Sequence, residues 1–285
     1  MEIRQEAVAG TFYPAEKSQL KTMVNKFLAD GASCAQKITS AAQDHLKAII
    51  VPHAGYIYSG PIAGEGYNLA QKLFTQKNPE ILLIGLSHFI LLNGAAVSIC
   101  DEWQTPLGAV KSKNLREEIG RPQRSAENAA ENILIEMEEA HISEHSLEVQ
   151  LPFLQTIFSD FTIYPIAISN VDPKKLADIL AQFASQKDVL IVVSSDLSHY
   201  LPYVQAQKKD HASIDAILSL DTSRAEKEID ACNKTGILTL IYLAKKLNLT
   251  PQLIDYRNSG DTAGDKSGVV GYASIAFFGD RPQNA

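Results

Sequence analysis

The sequence predicts a single-domain α/β protein over residues 1–285, with a mostly parallel central sheet flanked by helices. Short β-branched apolar runs alternate along the chain with segments of helical periodicity, which is the pattern of a parallel sheet covered on both faces. The runs at 48–51, 81–84 and 189–193 are apolar throughout, as expected of strands buried on both sides. No stretch rich in proline, glycine or serine separates two cores, so one domain is favoured over two.

Each element is predicted from its local pattern. Strands are assigned to apolar, β-branched runs, and helices to segments whose apolar residues are three and four positions apart. Pro173 suits the first position of a helix, and Pro152 must start or kink its helix because proline lacks an amide donor. The small, polar stretch 31–45 predicts a surface loop. In chain order the elements are strand 46–51, helix 62–76, strands 80–86 and 95–99, strand and turn 103–111, helices 114–119, 126–139 and 147–158, strand 161–168, helix 172–184, strand 188–194, helices 202–219 and 235–247, and strands 252–256 and 269–278.

The composition and charge exclude several functional classes. The formal net charge is −7, and an acidic chain without a basic tail is poorly suited to nucleic acid, whose phosphates are neutralised by lysine and arginine. The amino terminus has no apolar signal core, and no stretch has the length that crossing a bilayer requires. The 3 cysteines are widely spaced and odd in number, which argues against a disulfide framework. We therefore expect a cytoplasmic protein with no nucleic-acid or membrane partner.

Three of the predicted strands lead into a histidine, namely His53, His88 and His199. Ligands of open α/β sheets bind beyond the carboxyl ends of the strands. Imidazole is the commonest metal ligand and a frequent proton shuttle. The three histidines therefore indicate one polar site assembled from distant parts of the chain. For His53 and His88 individually, a turn histidine bonded to a neighbouring carbonyl remains the alternative.

Asp196 and His199 are three residues apart, so a helical turn would bring their side chains into contact. A carboxylate beside imidazole raises the imidazole pKa and orients the ring, which suits a general acid or base. The alternative is a capped helix start, in which serine or aspartate accepts hydrogen bonds from free amides. The two interpretations are compatible.

The segment from His141 to His145 matches H-x-x-E-H, the inverted zinc-protease pattern. That site needs both histidines on one face of a continuous helix, and Ser143 and Pro152 argue against such a helix. The protease interpretation is therefore disfavoured. Glu144 and His145 are kept as candidate site residues in another role.

Cys232 precedes the predicted helix at 235–247. The positive end of a helix dipole lowers the pKa of a nearby thiol, and the resulting thiolate suits metal binding or nucleophilic attack. The alternative is a small buried apolar side chain, the usual environment of a free cysteine.

Several motifs occur together and in a fixed order from residue 7 to the carboxyl end. They are Ala7-Val-Ala-Gly-Thr-Phe-Tyr-Pro14, Pro52-His-Ala-Gly-Tyr-Ile-Tyr-Ser-Gly60, Leu86-Ser-His88, Thr105-Pro-Leu-Gly108, Glu144-His-Ser-Leu-Glu-Val-Gln-Leu-Pro-Phe-Leu154, Ser194-Ser-Asp-Leu-Ser-His199, Ser259-Gly-Asp261 and Val269-Val-Gly-Tyr272. In this set the chain resembles the Memo family, and it is similar to the prokaryotic branch called AmmeMemoRadiSam system protein B.

The resemblance implies a fold related to the class III extradiol dioxygenases, which are non-haem iron enzymes. It also implies a metal centre, present in some members, whose ligands carried over by position would be His53, His88 and Cys232. Residues implied to line the same pocket, as candidate catalytic groups, are His199, Asp196, Glu144 and His145.

One position departs from the family pattern. The cysteine is usually followed by glycine, and here it is followed by Asn233. Asparagine is the non-glycine residue best tolerated in a left-handed backbone conformation, so the turn is expected to survive.

The implied ligands limit the metal and the chemistry. Two histidines and a carboxylate hold Fe(II) in non-haem oxygenases, and a thiolate in place of the carboxylate makes the site softer. Fe(II) is favoured, and copper or zinc is possible. We expect metal-dependent redox chemistry on a small organic substrate. The alternative is a non-enzymatic binding or scaffold protein that retains the pocket and binds a phosphopeptide or a pathway protein. The family name implies radical S-adenosylmethionine and AMMECR-type proteins as such partners.

Overall fold

The computed structural model describes residues 2–31, 45–120 and 133–279. Within these ranges, 11 strands form one sheet. The strands are Ile3–Arg4 (β1), His45–Val51 (β2), Glu80–Leu86 (β3), Ala95–Val97 (β4), Glu102–Thr105 (β5), Gly108–Ser112 (β6), Leu134–Glu136 (β7), Thr162–Ile168 (β8), Val189–Ser194 (β9), Thr250–Asn258 (β10) and Gly271–Gly279 (β11).

Helices follow most of these strands along the chain. They are Lys17–Asp30 (α1), Tyr56–Leu73 (α2), Leu115–Glu118 (α3), Glu139–Ile142 (α4), His145–Glu148 (α5), Leu151–Ile157 (α6), Pro173–Ala184 (α7), Tyr203–Ser219 (α8), Thr222–Glu228 (α9), Lys234–Lys246 (α10) and Ser259–Thr262 (α11). Among the described residues, no helix combines the length and the apolar character that crossing a bilayer requires.

The sheet has a parallel centre and antiparallel margins. The strand order is β1-β5-β6-β8-β3-β9-β2-β11-β10, with β4 and β7 attached beside β8. The five strands from β6 to β2 in this order are parallel to one another. Strand β11 is antiparallel to both β2 and β10. The predicted fold class, a mostly parallel sheet in an α/β protein, is confirmed.

Alternate residues of the central strands enter two different cores. On β2, Ile49 and Val51 pack with the apolar side chains of α1, α2 and α6, whereas Ala48 and Ile50 pack with those of α7, α8 and α10. Successive side chains of a strand point to opposite faces, so a strand between two helical layers must be apolar at every position. This accounts for the continuous apolar runs in the sequence.

The structure corrects the prediction of a helix at 126–139. Residues 126–132 lie outside the described ranges, and Leu134–Glu136 forms strand β7, parallel to β4. The predicted surface loop at 31–45 also falls almost entirely outside the described residues. The predicted helix at 147–158 is divided into α5 and α6, and Pro152 lies in the first turn of α6, where no amide donor is needed.

Helix α1 is absent from the sequence-based prediction, although its signals are present in the sequence. Leu20, Val24 and Phe27 are spaced four and three residues apart and form its buried face. Glu16 caps the helix, because its carboxylate accepts hydrogen bonds from the amides of Ser18 and Gln19. The periodicity of this segment should have predicted the helix.

Candidate metal centre

Three polar residues lie at equivalent positions beyond three adjacent central strands. His53, His88 and Asp196 each follow the last residue of β2, β3 and β9 by two positions. Strand β9 lies between β2 and β3, so the three residues meet at one edge of the sheet. Because this is the carboxyl edge of parallel strands, it is the place where α/β proteins bind ligands.

His53, His88 and Cys232 form a compact cluster at this edge. Their ligand atoms all lie within 4.8 Å of one another. Nε2 of His53 is 3.2 Å from Sγ of Cys232, and the two imidazole rings are nearly perpendicular, with centroids 5.3 Å apart. The structure thus brings together the three residues that the resemblance implied as ligands.

The hydrogen bonds of Ser194 orient the ring of His53. The Ser194 hydroxyl donates to the carbonyl oxygen of Ser146 at 2.5 Å and accepts from Nε2 of Gln150 at 2.8 Å. It has only one proton to give, so Nδ1 of His53, 3.0 Å away, must be the donor in its contact with Ser194. Nε2 is therefore the nitrogen left to bind a metal beside Cys232.

Glu144 orients His88 in the same way. Its Oε1 lies 2.9 Å from Nδ1 of His88, and its Oε2 accepts the His88 amide at 2.6 Å. Oε1 also accepts the amide of Ser146 at the start of α5. Burial opposes ionisation, but the bonds from His88 outweigh it and lower the pKa of Glu144 to about 2. The carboxylate engages Nδ1 and leaves Nε2 as the nitrogen available to the cluster, as in carboxylate–histidine–metal arrangements.

Cys232 is positioned by the segment that follows β9 and by the start of α10. Sγ accepts the amide of Asp196 at 3.2 Å, and the Cys232 amide donates to the Asp196 carbonyl oxygen at 3.2 Å. Burial raises the pKa of the thiol, but the charge and hydrogen bond of His53 and the hydrogen bond of His88 outweigh this effect and lower it to about 6. The residue is therefore poised to be a thiolate ligand.

Asn233 acts as a helix cap. Its φ is −101°, outside the left-handed region, and its Oδ1 accepts the amide of Gly236 as the N-cap of α10. Its side-chain amide donates to the carbonyl oxygen of Ser194 at 3.1 Å. The expectation that asparagine serves a left-handed turn here is wrong. The residue instead ties the start of α10 to β9.

Alkylation tests the ionisation of Cys232. In metal-free protein on a Cys34→Ser background, iodoacetamide is expected to modify Cys232 at pH 7 and progressively more slowly as the pH falls through about 6. Cys100 is the internal control, because burial and the nearby Glu138 carboxylate raise its pKa to about 12. Peptide mass spectrometry measures both sites. Equal rates at Cys232 and Cys100 would contradict the assignment.

The predicted contact between Asp196 and His199 does not form. Residues 195–199 contain no helical turn, and α8 begins only at Tyr203. Oδ1 of Asp196 instead accepts the amide of His53 at 2.8 Å. His199 is exposed and lies farther out, in the wall of a cleft of about 660 Å³ that also contains Asp196 and His53. A spacing of three residues implied contact only if the segment were helical.

The structure also separates the two histidines of the H-x-x-E-H pattern. Helix α4 ends at Ile142 and α5 starts at His145, so the pattern spans two short helices. His141 is fully buried, with its ring 5.6 Å from that of Trp103. His145 lines the cleft and stacks on His88, with ring centroids 4.3 Å apart. This division removes the geometry that the protease needs.

His145, Glu144 and His88 form a second compact group of ligand atoms, also within 4.8 Å of one another. Burial and the positive charge of His53 lower the pKa of His145 to about 4, so its ring is neutral at physiological pH.

The sequence-based reasoning assigned no role to Ser194 or Gln150, which together orient His53. Ser194 is the last residue of a buried strand, and a polar residue at that position could have been predicted to lie at the site. Gln150 reaches the site only through the tertiary fold.

Gly271 maintains the position of the Asp196 segment. Its amide and carbonyl groups bond to Ser198 and Leu197, and the Ser198 amide donates to Oδ1 of the buried Asp210. A Cβ atom at position 271 would lie 2.1 Å from Oδ2 of Asp210.

The variant Gly271→Ala is therefore expected to displace Asp210 and to lower the free energy of unfolding by about 1–3 kcal/mol, as overpacking does. Urea unfolding measures the change. Gly264→Ala is the control for a glycine with open space around its Cβ position, and its own cost comes from a φ of +92° alone. A Gly271→Ala variant as stable as the wild type would refute the packing argument.

Comparison with known proteins identifies the family of the chain. The family model described as "Memo-like protein" matches residues 4–276. A MEMO1 family protein of Aquifex aeolicus is 39% identical over 291 residues, covering 98% of this chain and 100% of that protein. A MEMO1 family protein of Sulfolobus acidocaldarius is 38% identical over 294 residues, covering 96% of this chain and 99% of its own length.

A solved structure shares the fold at much lower identity. It is the crystal structure of an uncharacterised protein from Escherichia coli K12, with a TM-score of 0.53 and 14% identity, covering 81% of this chain and 99% of that one. This likeness supports the architecture alone. The family match over nearly the whole length, together with relatives above one-third identity, shows that the chain belongs to the Memo-like family.

Proposed function

We propose that the protein is a mononuclear metal enzyme that performs redox chemistry on a small organic substrate. The observation that carries this proposal is the paired orientation of His53 and His88. Each ring has its Nδ1 engaged, by Ser194 or by Glu144, which leaves Nε2 available, and one ligand atom of each ring lies within 4.8 Å of the Cys232 thiol. Two imidazoles oriented in this way beside a thiolate form a ligand set prepared for a metal.

The donor set suits a transition metal. Two imidazole nitrogens and one thiolate would hold Fe(II), which we favour, and copper or zinc would also accept these ligands. A bound ion would supply Lewis acidity and, for iron or copper, one-electron chemistry. The cluster opens into the 660 Å³ cleft, a volume in the range of small-molecule sites.

The residues around the cleft supply binding and proton transfer. His199 is exposed in the cleft wall, where it can exchange protons with solvent and with a bound molecule. Asp196 holds the His53 backbone with one carboxylate oxygen and borders the cleft. Glu144 acts through His88, so we assign it an orienting role, and His145 contributes a neutral ring to the wall.

A binding or scaffold function is the weaker alternative. Phosphate recognition in proteins relies on arginine and lysine, and none lines the cleft among the described residues. Association with radical S-adenosylmethionine and AMMECR-type proteins is a separate proposal, which co-purification would test. It is compatible with either function.

Metal analysis of anaerobically purified protein tests the proposed function. The wild type is expected to retain close to one equivalent of metal, and His53→Ala is expected to lose it. His211→Ala is the matched control, because His211 is exposed and packs against Tyr256, away from the cluster. Two further measurements separate the two functions. Oxygen uptake with a candidate substrate would support the redox enzyme, and binding of a phosphotyrosine peptide in calorimetry would support the binding or scaffold protein. A wild type without metal, or His53→Ala with unchanged metal, would refute the metal centre.

A further inference from the structure

The cleft in front of the candidate ligands is lined by two carboxylates and, among the described residues, by no lysine or arginine; its basic side chains are the imidazoles of His53, His88, His145 and His199. The carboxylates are those of Asp196 and Asp265. The neighbouring Lys266 places its ammonium group 4.3 Å from the ring centroid of Tyr203, outside the lining. A divalent ion would not make the cleft positive, because the Cys232 thiolate offsets part of its charge and two carboxylates remain.

Asp196 presents a carboxylate oxygen, Oδ2, that accepts no hydrogen bond from the described residues. The residue is only 4% exposed, and its Oδ1 accepts the amide of His53. Because the side chain borders the cleft, Oδ2 can accept a hydrogen bond from a donor outside the protein. A molecule in the cleft would supply one.

Aromatic rings surround the same opening. Tyr200 is 79% exposed and has a left-handed backbone, with φ at 58°. The adjacent bridge between Leu201 and Val269, with a hydrogen bond of 2.9 Å, holds this segment in place. An exposed ring kept in an uncommon backbone conformation at a cleft suits contact with a ligand, and ring faces attract cations. The lining rings are Phe12, Tyr58, Tyr200 and Tyr272.

We propose that the cleft binds a small organic amine in its ammonium form, in which the ammonium group is attached to an apolar or aromatic body, as in 2-phenylethylamine. This inference rests on the proposed function, since it takes the amine as the substrate of the metal centre. The ammonium group donates to Oδ2 of Asp196, Asp265 adds negative potential, and the ring of Tyr200 covers the apolar body. The same groups repel carboxylates and phosphates of similar shape.

Calorimetry with matched probes tests the proposal on wild-type protein, metal-free and metal-loaded. The probes are 2-phenylethylamine, 2-phenylethanol, phenylacetate and phenyl phosphate. The amine is expected to bind about tenfold more tightly than the alcohol, the factor that one charge-assisted hydrogen bond supplies. Equal binding of amine and alcohol, absence of amine binding, or tighter binding of either anion to the metal-free protein would overturn the proposal.

Variants locate the interaction. Asp196→Asn is expected to weaken amine binding about tenfold, and the more exposed Asp265→Asn about threefold. Tyr200→Ala is expected to weaken it about threefold, and Tyr200→Phe to retain it, because the ring face is kept. Asp160→Asn removes the same charge at an exposed site outside the cleft and is expected to have no effect. Amine affinity unchanged in both cleft aspartate variants would refute the site.

The two proposals fail in different measurements. Metal content is read by mass spectrometry, independently of the calorimetry. Protein that selects the amine but retains no metal would reject the proposed redox function alone. Protein that retains metal but does not prefer the amine would reject the amine alone.

Discussion

Replacing Cys232 with serine is expected to lower the affinity of the metal-free protein for Fe(II) by more than about 100-fold. Losing a residue that only supports a metal ligand costs up to about 100-fold, and losing a ligand itself should cost more. The thiolate is the only negative atom among the three candidate ligands, and it lies 3.2 Å from Nε2 of His53. A serine hydroxyl is not ionised at neutral pH, so the variant loses both the charge and the soft donor. Anaerobic competition with a chelating dye measures the affinity.

A second variant calibrates this result. Glu144→Gln keeps the shape of the side chain but weakens its bond to Nδ1 of His88, and it should cost about 10- to 100-fold in affinity. Asp160→Asn, in an exposed pair with Lys111, should change nothing. The expected order is Cys232→Ser, then Glu144→Gln, then the control. Full affinity in Cys232→Ser would show that the thiol is not a ligand.

The sequence predicted the parts of the site that local patterns control. Apolar runs located β2, β3 and β9, and their carboxyl ends placed His53 and His88 together because parallel strands share one edge. Cys232 was correctly placed before a helix, and α10 begins at Lys234. These inferences need only the period of a strand and the polarity of a helix.

The errors arose where contact depends on the path of a loop. Asp196 was paired with His199 on the assumption of a helical turn, but the segment is irregular and its carboxylate accepts the His53 amide. Likewise, Asn233 was assigned a left-handed turn and instead caps α10. Gln150 was not assigned any role, because its contact with Ser194 spans 44 residues and no local pattern encodes it. Spacing alone cannot distinguish such arrangements.

A buried ion pair beneath the site carries the largest expected effect on stability. Arg4 and Glu148 are 3% and 0% exposed and form a direct ion pair. Glu148 also accepts the amides of Ala7 and Val8 and the hydroxyl of Tyr13, so it fastens the amino-terminal segment to α5. Removing one partner of a buried pair leaves an uncompensated charge, which is why such changes are costly.

The variant Arg4→Met is therefore expected to lower the free energy of unfolding by about 3–5 kcal/mol. Urea unfolding at pH 7 measures it. Arg224→Met, which breaks an exposed pair with Glu228, is the matched control and should remain near the wild type. In a double-mutant cycle, Arg4→Met with Glu148→Gln removes both charges and should cost less than the sum of the single variants. Additive losses would show that the pair is not coupled.

This ion pair is also connected to the candidate metal centre, because Arg4 donates hydrogen bonds to the backbone on both sides of the break between α4 and α5. Its Nε donates to the carbonyl oxygen of His141 at 3.0 Å, and its Nη2 donates to that of Glu144 at 2.7 Å. Glu144 is the residue that orients His88. Arg4→Met should therefore weaken metal affinity by up to about tenfold in protein that is still folded. A loss of about tenfold is the smallest that is typical of removing a residue that holds a metal ligand in place, and Arg4 acts on His88 only through Glu144. A loss of stability with unchanged metal affinity would show that the pair supports the fold but not the site.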